Sequence, residues 1–279
     1  MRETIKKNSK KVSYFMKLKY YIVALILLVG TLFGLVFYYE LDPSLLAKIS
    51  FYINLANPNV HIVKVHEGLR KEQVAEIMAN KLGWDESEKD SFLNAHIALN
   101  SSNLEGRYFP KTYLIDKNDT PAEVSTTMFE EFSKQTDKIR KSISKEKINE
   151  DTAIKIASII QREAGGKSDM KLISGIIWNR IFSGMKLQMD ATLQYAKGSE
   201  EEGWWGRVRP EDKKIDSSYN TYMYEGFPPG AIANPGIDAI TAAYNPQKTN
   251  CMFYLHDKNR KIHCAVTYDE HKRNIEKYY

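Results

Sequence analysis

The first run of apolar positions has no period at all. YYIVALILLVGTLFGLVFYY, residues 20–39, is twenty residues without a charge. At about 1.5 Å per residue, such a helix spans the roughly 30 Å hydrocarbon core of a bilayer. From residue 60 the pattern becomes periodic. VHIVKVHEG alternates like a strand, with Val60, Ile62 and Lys64 on one side, His61, Val63 and Val65 on the other, and Gly68 as its end. RKEQVAEIMANKLG sets Val74, Ile77, Met78 and Leu82 at helical spacing and stops at Gly83. A second helix is expected over 86–99. Leu104 to Ile115 is aromatic and interrupted by Pro110, which suits a connector or short strands. Thr120-Pro121-Ala122-Glu123 is a capping box with proline at the first helical position, so a helix should run to about Arg140. From about Thr152, Ala153, Ile156, Ile159 and Ile160 share one face, while Lys155, Ser158 and Arg162 lie towards the other. KLISGIIWNRIFSG predicts a helix stopped by Gly184. Gly236 to Tyr244 predicts a short one, with Asn234 and Pro235 as cap and first residue. A hairpin turning at Asp257-Lys258-Asn259-Arg260 comes next, then a last helix opened by Thr267-Tyr268-Asp269-Glu270.

These elements describe an α+β chain: a basic tail (1–19), a transmembrane helix (20–39), a juxtamembrane segment (40–58), a small strand–helix–helix unit (59–103) and a mixed helix and β-hairpin domain (104–279). The small unit is similar to LysM modules, which bind N-acetylglucosamine polymers; a purely structural spacer reads the same way.

Charge sharpens the first boundary. Residues 1–19 hold seven Lys and Arg against Glu3, a net of +6, and the whole chain is +5, so everything after residue 19 sums to −1. The body has no basic surplus, which argues against nucleic acid as a partner. The basic flank places the N-terminus in the cytoplasm, and the paired tyrosines at both ends of the span suit the two interfaces. Tyr38-Tyr39-Glu40-Leu41 is a poor cleavage site for a signal peptide. The expectation is a single-pass anchor in the cytoplasmic (inner) membrane, with everything from Glu40 outward extracytoplasmic or periplasmic. Only Cys251 and Cys264 face that oxidising side. The hairpin pairs Phe253 with Cys264, which leaves the cysteines diagonal, so two small core residues are expected rather than a bridge, unless a bulge brings them together.

One residue breaks the helical pattern. Glu163 closes the apolar stripe of ASIIQREAGG, and a carboxylate on an apolar face needs a reason. The plain reason is that the stripe ends and Glu163 turns outward at Gly165-Gly166. The chemical one is that an apolar site holds a carboxyl protonated until it is used as an acid. Other machineries are missing. His66-Glu67 begins a zinc motif, but Arg70 stands where the second histidine would be, and there is no phosphate loop or serine elbow. No metal or cofactor is implied. From Met185 onward the loops are dense in amides, hydroxyls and tyrosines, as a sugar ligand requires. An ordinary glycosidase needs a second carboxylate. Asp190, Asp216 and Glu225 are available and none is marked out by spacing.

ASIIQREAGG, SGIIWNRIFSGMKLQMDATLQYAKG and YNTYMYEGFPPGAIANPG, in this order, resemble the membrane-anchored endolytic murein transglycosylases (the MltG or YceG-like family), from about Leu104 to the C-terminus. The resemblance implies that Glu163 is the catalytic carboxylate, with Gln161 at the segment's first acidic position. It would cleave the β-1,4 bond between N-acetylmuramic acid and N-acetylglucosamine in nascent peptidoglycan. The sugar's own 6-hydroxyl would then attack and leave a 1,6-anhydro end. The resemblance further places Asn179 and Arg180, the segment Gln188, Asp190, Thr192 and Tyr195, the run Tyr219, Asn220, Thr221 and Tyr222, and His271 along the glycan groove. Asn234 is a groove candidate that could be no more than a helix cap, and Asp190 could cap the short helix after it. His263 is one place out of step with the family's hairpin motif, and Lys272 replaces an asparagine. Peptidoglycan strands, the membrane and peptidoglycan synthases are the implied partners. The competing readings are a catalytically idle glycan-binding scaffold and a muramidase that uses water.

Overall fold

The computed structural model describes residues 19–31, 34, 48–53, 56–95, 104–142 and 148–278. The chain forms two units, Met1–Pro58 and Asn59–Tyr279. In the first, residues 19–31 and 48–53 are helical, and the apolar side chains from Tyr20 to Val29 are exposed. Among the described residues no helix is long and apolar enough to cross a membrane. Residues 32, 33 and 35–39 of the expected span, and the tail at 1–18, lie outside the described residues.

The second unit begins with a two-stranded antiparallel sheet. Strand β1 (Val60–Lys64) pairs with β2 (Thr112–Asp116), with Ile62 opposite Leu114. Helices α1 (Lys71–Leu82) and α2 (Glu86–Leu93) lie between them in sequence. Gly83 ends α1 in the left-handed conformation at φ 76°, which a residue with a Cβ adopts at a cost. Asp85 and Glu88 exchange hydrogen bonds to start α2. The small sheet is completed by β2 at 112–116, beyond the expected boundary at 103, in the stretch read as a connector or short strands. Its apolar side is Val63 and Val65, packed with Val74, Met78, Phe92 and Tyr108. The capping box at Thr120 forms, with Thr120 N–H on Glu123 Oε2 at 2.8 Å. It opens α3 (Pro121–Ser142), which runs along both cores: Val124 and Met128 belong to the first, Phe132 and Ile139 to the second.

The second core is built on α4 (Glu150–Glu163), α5 (Met170–Phe182) and α7 (Ile237–Tyr244), with α6 (Asp190–Lys197) beside them. Helix α4 is not half in water. From Ala153 to Ile160 only Lys155 escapes full burial, and each such isoleucine contributes about 1.5–3 kcal/mol. Ser158, expected on the wet side, is buried because the loop at 231–236 crosses there and Ile232 N–H donates to its Oγ at 3.0 Å. Helix α5 lets the chain at 245–250 approach closely. A Cβ on Gly175 would lie 2.1 Å from Gln247 O, and Gln247 N–H bonds Lys171 O at 2.9 Å.

The chain closes with a hairpin, β3 (Phe253–His256) and β4 (Ile262–Ala265), and helix α8 (Tyr268–Tyr278), which packs on both strands. The hairpin pairs Tyr254 with Cys264, one residue away from the expected register. Arg260 takes a positive φ of 63° in the turn, and Asp257 N–H pairs with Lys261 O, so the loop is one residue longer than the sequence suggested. The expectation of unbridged cysteines is also corrected. Cys251 and Cys264 form a disulfide, with Cα atoms 5.8 Å apart. Cys251 precedes β3, so strand alternation does not govern where its side chain points.

Candidate active site

Glu163 is the last residue of α4, and the chain leaves the helix at Ala164 in an extended conformation. At Gly165 the hairpin comes down onto this helix end: a Cβ there would lie 2.6 Å from Arg260 O. His256 completes the clamp, its Nε2 lying 3.1 Å from Asp169 Oδ2 and 3.3 Å from Gly165 N. Two residues back on the same strand face, Tyr254 donates its hydroxyl to Glu163 Oε2 at 2.8 Å. The other oxygen, Oε1, accepts Ala191 N–H at 3.0 Å, in the first turn of α6.

The two loops beside Glu163 are tied to each other. Gln188, at φ 50°, donates its N–H to Thr221 O at 3.0 Å, and Met189 N–H bonds Thr221 Oγ1 at 3.0 Å. The hydroxyls of Thr192 and Thr221 meet at 2.8 Å. Tyr222 donates its hydroxyl to Asp190 Oδ1. The result is a cleft of about 510 Å³ lined by Glu163, Arg180, Gln188, Met189, Asp190, Lys213, Tyr222, Phe253, Tyr254, Tyr268 and His271. A hollow of about 820 Å³ lies elsewhere, beside Arg207, Arg209 and the paired Lys197 and Asp212, whose charges meet at 2.6 Å. The smaller cleft is the candidate site, because there a buried carboxyl, Glu163, faces the open space.

Burial pushes the Glu163 carboxyl above its usual range, and the charge of Asp190 pushes the same way. The Ala191 and Tyr254 hydrogen bonds pull it back in part. Both oxygens of Glu163 thus have a donor. Burial and the Glu163 charge also hold the Tyr254 hydroxyl protonated, which keeps it a donor. Burial, helped by the Arg180 charge, lowers His271, whose Nδ1 has no hydrogen-bond partner among the described residues. No group of three His, Cys, Asp or Glu among the described residues is placed to hold a metal ion.

Six of the thirteen expected site residues line the cleft: Glu163, Arg180, Gln188, Asp190, Tyr222 and His271. The other seven do not line this cleft. Asn179 donates to the carbonyls of Thr249 and Cys251, both at 2.9 Å. Asn220 donates to Lys213 O and Ile215 O at 3.1 and 2.8 Å, and Thr192 and Thr221 join the two loops. Tyr195 packs against Tyr219 with the rings tilted by 43°, lies under the Arg70 guanidinium, and its hydroxyl reaches Glu105 at 3.3 Å. Asn234 is buried and bonds Leu69 O and Tyr108 N–H; the cap of α7 is Gly236, not Asn234. Asp190 is the first residue of α6 rather than its cap, which is Met189. The asparagine amides and threonine hydroxyls among them satisfy backbone groups where irregular segments cross, which holds the walls in place.

The profile of the YceG-like family matches residues 38–277. The chain belongs to the YceG-like family. The endolytic murein transglycosylase of Bacillus subtilis is 35% identical over 176 residues, covering 63% of this chain and 48% of that protein. The endolytic murein transglycosylase of Streptococcus pneumoniae (strain D39) is 29% identical over 174 residues, covering 62% of this chain and 32% of that protein. The matches thus span half or less of the length of these curated relatives. A crystal structure of a yceG-like protein from Listeria monocytogenes superposes with a TM-score of 0.69 at 25% identity, over 76% of this chain and 75% of that one.

Reasoning from the sequence missed Tyr254, Phe253, Tyr268 and Lys213. The hairpin aromatics were visible as a pattern, but the one-residue register shift decides which of them meets Glu163. Lys213 sits in a 3-10 turn, Pro210–Lys214, that carries no periodic signal.

Proposed function

We propose that this chain is an endolytic peptidoglycan lytic transglycosylase that cuts the β-1,4 bond between N-acetylmuramic acid and N-acetylglucosamine and so limits strand length. The observation that carries the reading is a carboxyl held above its usual range at the end of an apolar helix, in an open cleft, with both oxygens supplied with donors. The curated relatives named as endolytic murein transglycosylases support it.

In this mechanism Glu163 gives its proton to the glycosidic oxygen as the C1–O bond breaks, and the N-acetylglucosamine leaves with that proton as a hydroxyl. The resulting carboxylate is stabilised by Ala191 N–H at the first turn of α6 and by Tyr254. It then takes the proton from the muramoyl 6-hydroxyl as O6 bonds to C1. Glu163 ends protonated, as it began, and no water is consumed. One carboxylate serves twice.

The reading includes a single-pass anchor in the cytoplasmic membrane with an extracytoplasmic catalytic domain. The exposed apolar side chains of residues 20–29 and the basic tail support this. It also includes a LysM-like role for the βααβ unit of β1, α1, α2 and β2 in holding the glycan, supported by its element order. Mass spectrometry of strands digested by the full chain tests the reaction. Ends one water lighter than a reducing sugar are expected, and reducing ends would make the protein a hydrolase.

A further inference from the structure

The cleft's charges do not balance once Glu163 carries its proton. Arg180 is only 6% exposed. Its Nε donates to Met252 O at 2.6 Å and its Nη1 to Leu187 O, both uncharged carbonyls. No carboxylate lies within ion-pair distance of it among the described residues, and Nη2 bonds no protein atom yet is not sealed from solvent. Lys213 enters the same cleft from the 3-10 turn, with Nζ 4.4 Å over the Tyr222 ring and no acid partner among the described residues. The remaining carboxylate in the cleft, Asp190, already accepts the Tyr222 hydroxyl. Two cations therefore face one carboxylate. A desolvated guanidinium without a counter-charge is costly to keep unless a ligand supplies one.

We propose that Arg180 and Lys213 form a carboxylate-reading subsite inside the cleft, which selects strands that carry an anionic group next to the bond to be cut. This rests on the glycan reading above and deepens it. On a peptidoglycan strand the carboxylate has two sources: the lactyl group of a muramoyl sugar that has lost its peptide, or a free carboxylate of the stem peptide itself. The two cations divide the work. Arg180 is fixed by two backbone carbonyls, so its free donors have a set direction, as recognition of a planar carboxylate requires. Lys213 is exposed on a flexible stem and supplies attraction over a wider range of positions. A neutral sugar strand would fit the same aromatic walls and leave Arg180 unpaired, so discrimination comes as much from penalty as from gain.

The test measures binding rather than cleavage, so it does not depend on the reaction. The full chain carrying Glu163→Gln is titrated with three strands of equal length: one with stem peptides bearing free carboxylates, one with stems removed and free lactyl carboxylates, and one with every carboxylate converted to a methylamide. Affinity for at least one charged strand should exceed that for the neutral strand by about 10-fold, the worth of one charge-assisted hydrogen bond, and the gap should shrink with salt. Which charged strand shows the gap identifies the source. Adding Lys213→Glu should weaken the charged strand about 10-fold more than the neutral one, and Lys213→Gln should do so to a lesser degree. Equal binding of all three strands, or Lys213 variants acting equally on charged and neutral strands, overturns the subsite. A failed reaction is recognised separately: the parent chain would leave all strands uncut while the charge preference in binding persists.

Discussion

Glu105 gives a prediction whose size follows from the structure. It is 1% exposed, at the junction of the βααβ unit with the second core. Both its oxygens accept Lys71 N–H, at 3.1 and 3.3 Å, and the Tyr195 hydroxyl reaches it at 3.3 Å. Burial, reinforced by the nearby charge of Glu72, raises its pKa from 4.5 to about 8. A carboxyl raised in the folded state stabilises the fold below its unfolded pKa, and that contribution is lost as pH rises through the folded value. At about 1.36 kcal/mol per unit, the loss between pH 5 and pH 9 is about 4 kcal/mol. Water entering the junction relieves part of it, so this is a ceiling. Glu105→Gln keeps an acceptor for Lys71 N–H and never ionises. Urea unfolding of parent and variant at pH 5, 7 and 9 should therefore give curves that diverge, the parent losing stability and the variant holding it. Parallel pH dependences would show that Glu105 does not ionise at a cost in the fold, and the burial argument would fail.

Three further outcomes test other contacts. Tyr254→Phe removes a donor that favours the charged Glu163, so the alkaline fall in cleavage rate should move to higher pH. Asp190→Asn removes a like charge and should move it lower; a pH–rate series in which both shift the same way contradicts the assignment. Gly175→Ala drives a Cβ into Gln247 O and should cost about 1–3 kcal/mol, read as a lower melting temperature; an unchanged melt would mean the 245–250 segment moves freely. Reducing the Cys251–Cys264 disulfide, which closes a sequence separation of 13, should cost up to about 3 kcal/mol in unfolding experiments, with no change expected if the hairpin is held by α8 alone.

What was legible in the sequence was local. The boxes at Thr120 and Thr267 and the stop at Gly83 depend on residues within one turn, and each forms where its spacing says. The apolar stripe of α4 was legible for the same reason, and so was the oddity of Glu163. The wet-side assignment of Ser158 failed because burial there is set by a loop more than seventy residues away. Asn179, Asn220 and Asn234 look like sugar ligands in a list of side chains. Whether an amide meets a ligand or an orphaned carbonyl depends on which segments cross, and that is a property of the whole fold. The hairpin register turned on one residue in a left-handed conformation at Arg260, a position where neither glycine nor asparagine announces it. That single shift moved Tyr254 onto Glu163, whereas the cysteine pairing went unread because Cys251 precedes β3.

The central claim is that one carboxylate, Glu163, acts as acid and then as base. Its direct test is Glu163→Gln in the full chain, with the ends of digested glycan strands read by mass spectrometry. The amide keeps the acceptor for Ala191 N–H and the Tyr254 hydroxyl but has no proton to give, so cleavage should fall by about 10² to 10⁴ or more. The parent should leave 1,6-anhydro ends at every pH at which it cuts. A Gln variant that cuts at the parent rate, or parent products with reducing ends, would contradict the account.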